Sequence, residues 1–381
     1  MKTAKKLTAL LLAVAMILSL AACGAGKTTE TSPSASAAAT NSTTVTVTDH
    51  AGNQVTVPKN AQRIAVCDIY PLPSVLSVFF DSADRIVGMP DVSMSAAKSG
   101  LLGQLYPNIL NAQTGFIKGT EVNTEELMKL KPDVVFYSAD DPKLGEQLTA
   151  AGFAAVAISA SKWDYDCVET LKEWVALLSQ IFPENDKTKT VQDYSEKVMK
   201  QIKDKTSTLS ENQKKRAFFL FKYDDSTIMT SGEHFFGNWW AESTGAVNVS
   251  KELPNENAAA VTMEQIYQWN PDVIFITNFT KAQPDDLYNN KIGSNDWSAI
   301  AAVQKKQVYK MPLGMYRSYT PGADTPVTLL WMAKTLYPDL FSDVDITKET
   351  EDYYKAVFGI TLTDEQANSI FASAASAANG F

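Results

Sequence analysis

The chain has 381 residues, 45% hydrophobic and 20% charged, with a formal net charge of −9 at pH 7. That acidic balance, with no stripe of Arg and Lys interleaved with aromatics, argues against nucleic acid as a partner. Two histidines, His50 and His234, are too few and too far apart for a transition-metal cluster, and no Gly-rich phosphate loop, nucleophile elbow or His-Glu-x-x-His motif is present. We therefore expect neither an enzyme nor a resident metal or cofactor.

Lys2, Lys5 and Lys6 precede an apolar run over 7–22 that is too short for a comfortable membrane span, so residues 1–22 read as a secretory signal peptide. Leu20-Ala21-Ala22-Cys23 resembles the bacterial lipobox. The resemblance implies that the Cys23 thiol is acylated and holds the protein on the outer face of the cell membrane through acyl chains. Residues 23–44 are almost entirely small and polar, cannot bury enough apolar surface to fold, and read as a flexible tether. The remaining body, more than 330 residues, exceeds the size at which single cores usually split, so two lobes are expected. Cys67 and Cys167 read as small buried apolar residues rather than a disulfide or metal pair.

The pattern over 45–57 alternates around Ala51-Gly52-Asn53 and predicts a β-hairpin that Pro58 stops. A buried strand over 63–67, a helix through 75–79 and a strand over 85–88 come next, and Met89-Pro90-Asp91 turns out of the last. A helical insertion over 101–110 and a Gly-rich return over 115–119 lead to a further helix, strand, helix and strand ending at Ile158. After residue 210 come strands over 216–221 and 227–229, a helix over 236–243, a strand over 307–310, a loop over 312–321 and a helix over 326–336. Two helices over 353–371 complete the chain. Strands alternating with helices predict open parallel sheets.

Between the halves, residues 186–209 read as one long helix. Val191, Tyr194, Val198, Ile202 and Leu209 recur at helical spacing, lysines fill the other face, and Asp186 is an N-cap. At roughly 1.5 Å per residue it would span about 35 Å. A repeat flanks it. Glu125 lies seven residues before Pro132-Asp133 and the run Val134-Val135-Phe136-Tyr137, and Glu264 lies seven before Pro271-Asp272 and Val273-Ile274-Phe275-Ile276. Two such copies argue for lobes of related build: 45–185 as the N-terminal lobe, 186–209 as the interlobe helix and 210–381 as the C-terminal lobe.

From Thr44-Val45-Thr46-Val47-Thr48-Asp49-His50-Ala51-Gly52 through both Pro-Asp repeats to Tyr337-Pro338-Asp339-Leu340-Phe341, the order and spacing resemble the substrate-binding lipoproteins of bacterial ABC importers for ferric siderophores, haem and cobalamin. The resemblance implies an α/β fold of two Rossmann-like lobes joined by a single long rigid helix, with the ligand cleft between them. It also implies a monomer that binds a small-molecule metal chelate, most simply a ferric siderophore, and delivers it to a dimeric permease. Cobalamin, haem, a molybdate or tungstate oxyanion, and a sensor ectodomain are the alternatives.

Ligands of open α/β sheets sit at the carboxyl ends of strands. The loops expected there carry Tyr70, Met89, Lys118, Asp140 and Trp163 in the first lobe. In the second they carry His234, Phe235, Phe236, Trp239, Asn278, Tyr316, Arg317 and Tyr319. Arg317 is the sharpest candidate, since a guanidinium can fork onto carboxylate, hydroxamate or catecholate oxygens, and its loop is expected at the surface. Glu125 and Glu264, matched in the two copies, are expected to be exposed. The resemblance implies that each meets arginines of the permease.

Overall fold

The computed structural model describes residues 43–254 and 257–380. The expected signal peptide, Cys23 and nearly all of the tether lie outside the described residues. The opening hairpin pairs Thr44–Thr48 with Gln54–Pro58 in antiparallel register. At its turn the Asp49 carboxylate accepts from the backbone N–H groups of Ala51 and Asn53, and its second oxygen accepts from Ala157 N at 3.1 Å. The hairpin is thereby fastened to the edge of the first sheet.

That first sheet is fully parallel, in the order Ile86–Gly88, Ile64–Val66, Val134–Ser138, Ala155–Ile158. The second, also parallel, runs Val247–Asn248, Arg216–Leu220, Val273–Ile276, Val308–Lys310. Numbered along the chain, both have the order 2-1-3-4. Their central strands are buried on both faces, which is why they read as unbroken apolar runs.

The Pro-Asp repeat has one structural job in both halves. Asp133 N donates to Arg63 O while its carboxylate accepts from Arg63 N at 2.9 Å, and Asp272 N donates to Arg216 O while its carboxylate accepts from Arg216 N at 3.1 Å. Each aspartate thus closes a ring of hydrogen bonds at the amino end of the first strand of its sheet. Lys131 and Asn270, the residues ahead of the prolines, both adopt positive φ, so each short helix stops there.

The long helix spans Thr188–Thr206, slightly shorter than the periodicity predicts, and Asp186 Oδ1 accepts from Thr188 N at 2.8 Å. It buries Val191, Tyr194, Val198 and Ile202, the predicted face. That face packs against Cys167–Ile181 from the first half and against Thr325–Leu336 and Ile346–Phe358 from the second. Helix Asp91–Ser99 stands where Met89-Pro90-Asp91 predicts only a turn, with Pro90 as its N-cap residue. Its small residues Ser93, Ala96 and Ala97 are buried, and Val92 and Ala96 meet residues of the second half. Cys67 and Cys167 are buried free thiols whose ionisation burial suppresses.

Candidate functional site

The carboxyl ends of the two parallel sheets hold different chemistry. In the first, Asp68 comes just after Ile64–Val66 and its Oδ1 accepts from Ser138 N at 2.6 Å, bridging the ends of the first and third strands. This is the point where the strand order reverses, the place where open α/β sheets bind ligands. Burial, reinforced by the carboxylates of Asp141 and Asp140, pushes the Asp68 carboxyl up to about 6. Asp140 itself is exposed and accepts from Ser161 Oγ at 2.8 Å.

The second sheet ends in rings. Phe221 directly succeeds Arg216–Leu220, and Phe279 stands three residues beyond Val273–Ile276; their centroids are 5.1 Å apart. Phe235 sits 5.4 Å from Phe221, and Tyr319 lies within about 6 Å of Phe221, Phe235 and Phe236. Tyr165, from the first half, meets Phe236 edge-on at 5.1 Å. The Tyr319 hydroxyl is bonded to Ser231 Oγ, and burial holds it well above the usual phenol range.

Loop 312–321 overturns one expectation. It is buried almost throughout, with Tyr316 2%, Arg317 0% and Tyr319 0% exposed. Gly314 makes the inward fold possible: its φ is positive, and a Cβ there would sit 2.2 Å from the Asp324 carboxylate. That carboxylate, pushed up to about 6 by burial, accepts from Met315 N and from the Tyr354 hydroxyl. Arg317 therefore reaches inward and donates to Asn278 O at 3.2 Å, Ala377 O at 2.9 Å, Val92 O at 3.1 Å and Asn379 O at 2.8 Å. Its carbonyl partners come from the second sheet's end, the C-terminal segment 371–380 and helix Asp91–Ser99. Beside them Asn278 donates to Met311 O, while its buried Oδ1 has no hydrogen-bond partner among the described residues.

The structure gathers Phe235, Phe236 and Tyr319 in one cluster and Asn278, Tyr316 and Arg317 in another. Tyr70, half-buried, packs with Tyr316, Leu313 and Ala377 at the second. Trp239 is half-buried against Trp240. Met89, fully buried, is a packing residue of the first half. Trp163 lines a separate pocket of about 290 Å³ with His50, Lys162 and Glu173. There burial brings His50 down to about 4, and its neutral Nδ1 accepts from Ser159 N. Lys118 is exposed on the two-residue strand Ile117–Lys118, and His234 is exposed next to Glu233. Sequence reasoning missed Asp68, Tyr165, Phe221 and Phe279. Three of these come after strands and obey the same carboxyl-end rule that selected Asn278; Tyr165 carries no comparable signal. Glu125 and Glu264 are exposed, each the second residue of its short helix, Thr124–Lys129 and Met263–Trp269.

A family model described as periplasmic binding protein matches residues 83–313. A periplasmic solute-binding protein of Veillonella parvula is 30% identical, with a TM-score of 0.75 and coverage of 86% of this chain and 97% of that one. The molybdate-binding protein MolA of Haemophilus influenzae is 24% identical over 339 residues, covering 84% of this chain and 92% of MolA. Its molybdate-bound structure matches with a TM-score of 0.69, covering 84% of this chain and 99% of that one. An iron-uptake system-binding protein of Bacillus subtilis is 26% identical over 224 residues, 55% of this chain and 65% of that protein.

Proposed function

The chain belongs to the periplasmic binding protein family, and we propose that it captures an anionic metal-containing solute between the carboxyl ends of its two parallel sheets. Members of this family are extracytoplasmic solute-binding proteins of ABC importers rather than enzymes. The observation that carries the reading is Arg317. Its buried guanidinium lies at the end of the second sheet, where that half meets helix Asp91–Ser99 of the first, and it donates to four neutral backbone carbonyls. An anionic ligand offers stronger acceptors to the same fork, and binding exchanges the carbonyls of Ala377 and Asn379 for them. The partly exposed rings of Tyr165 and Phe221 at the edge of the aromatic cluster offer contact area at little entropic cost, which suits a bulky chelate.

A ferric siderophore-type chelate is the first reading, and the similarity to an iron-uptake system-binding protein supports it. A second reading, molybdate or tungstate, is favoured by the similarity to MolA over nearly its whole length. Titration of the purified protein by tryptophan fluorescence, with ferric catecholate and hydroxamate chelates, molybdate and tungstate in parallel, decides between them. Saturation by a ferric chelate alone supports the first reading, and saturation by the oxyanions alone the second. No response to any of the four, with only apoprotein seen by native mass spectrometry of protein from its own source, sinks both.

Two further elements belong to this reading. Cys23 is the acylated anchor, motivated by Leu20-Ala21-Ala22-Cys23 and the polar tether behind it. Cys23→Ala protein that still fractionates entirely with membranes would remove that role. Glu125 and Glu264, exposed at matching places in the two halves, are the charged contacts to the permease, and their test is joined to that of the apolar residues beside them.

A further inference from the structure

Only three large apolar side chains are exposed among the described residues: Leu110 at 41%, Met128 at 46% and Tyr267 at 39%. Two of the three occupy the same position of the repeat, for Met128 stands three residues after Glu125 and Tyr267 three after Glu264. Residues three apart share one face of a helix. In both helices the residue between them that anchors the turn, Leu127 and Ile266, is fully buried, which fixes the opposite face outward. Each half therefore presents one carboxylate with one apolar group beside it.

In neither case does the rest of the described chain cover the exposed apolar surface. The other solvent-side positions of these helices carry polar residues such as Glu126, Lys129 and Gln268, the composition expected of a free face. Glu126 is paired with Lys129, whereas neither Glu125 nor Glu264 has a cationic partner among the described residues. Tyr267 is also held in place, since its hydroxyl donates to Asp296 O at 2.5 Å and leaves the ring facing water. The side chains differ between the halves while the property is kept, large and apolar in both.

We infer that Met128 and Tyr267 are the two apolar anchors of the permease-docking surface, each entering a pocket next to the basic group that receives the adjacent glutamate. The inference rests on the docking reading for Glu125 and Glu264. It commits to a two-fold partner, because two like patches on duplicated halves match two like sites. Met adapts to the shape it meets and Tyr joins an apolar body to a polar tip, so one pocket chemistry accepts both. The labour is divided between them: the glutamates set the association rate and its salt dependence, and the apolar pair sets the dissociation rate.

The test measures binding of the full-length protein to its permease reconstituted in nanodiscs, over a range of salt. The Met128→Gln, Tyr267→Gln protein is expected to dissociate about tenfold faster or more, with its association rate and salt dependence unchanged. The Glu125→Gln, Glu264→Gln protein is expected to associate more slowly with a flattened salt dependence. Unaltered thermal unfolding of each variant excludes misfolding as the cause. Dissociation of the Met128/Tyr267 variant within twofold of the parent, while the glutamate variant is impaired, overturns the anchors alone. Unimpaired binding by both variants overturns the docking reading as well.

Discussion

The two parallel sheets are alike at one end and unlike at the other. At their amino ends Asp133 and Asp272 make the same ring of hydrogen bonds to Arg63 and Arg216. At their carboxyl ends the first sheet carries the carboxylates Asp68, Asp140 and Asp141, and the second carries Phe221, Phe279 and the rings around Tyr319. Strand pairing depends on the amino-end device and on the apolar runs, so those features are common to both halves. It does not depend on the residues beyond each strand's carboxyl end, and there the two walls of the proposed site have become polar on one side and aromatic with a guanidinium on the other.

If the second wall is a packed one, breaking it should cost far more than breaking the first. Arg317→Ala leaves the buried carbonyls of Asn278 and Ala377, and the less buried ones of Val92 and Asn379, without this donor and is expected to lose roughly 3 kcal/mol of stability, measured by urea denaturation. The surface position expected for its loop would have given little effect on folding; the burial of Arg317 reverses that. By contrast Asp140→Ala, at an exposed residue of the first wall, should stay within about 0.5 kcal/mol. A loss below about 1 kcal/mol for Arg317→Ala would erase the distinction between the walls.

The pH dependence sharpens the comparison on the first wall. Asp68 is raised from 3.8 to about 6, chiefly by burial, so between those values the folded state binds more protons than the unfolded one. Stability then falls as pH rises through that window and is level above it. Asp68 is half-buried, and solvent screening reduces the effect to about 1 to 2 kcal/mol. Asp68→Asn keeps an acceptor for Ser138 N and should be the more stable protein above pH ~6, with the two converging below pH ~4. Asp324 titrates upward too but is present in both proteins, so it cancels in the difference. Parallel stability curves for the two proteins across that range would mean that Asp68 does not feel its wall as described.

The long helix, the hairpin and both repeat units were legible in the sequence because each is written in local terms. Val191, Tyr194, Val198 and Ile202 declare their face by spacing, and Pro132-Asp133 and Pro271-Asp272 mark turns by their own chemistry. The loop aromatics could be named as site candidates, yet not sorted. Phe235, Phe236 and Tyr319 pack with Phe221 and Tyr165, while Trp163 packs with His50 instead.

By itself, the sequence determined two related α/β halves and the matched glutamates, since periodicity and turn residues act over a few positions. Only the tertiary structure decided that loop 312–321 turns inward and that Arg317 is buried. Its partners lie 39, 60, 62 and 225 residues away along the chain. Tertiary structure also left Met128 and Tyr267 in water, because an apolar residue on a short helix is buried or bare according to which neighbour covers it. Burial of a charged side chain depends on whether distant carbonyls arrive to replace its water, and no pattern within one loop records that.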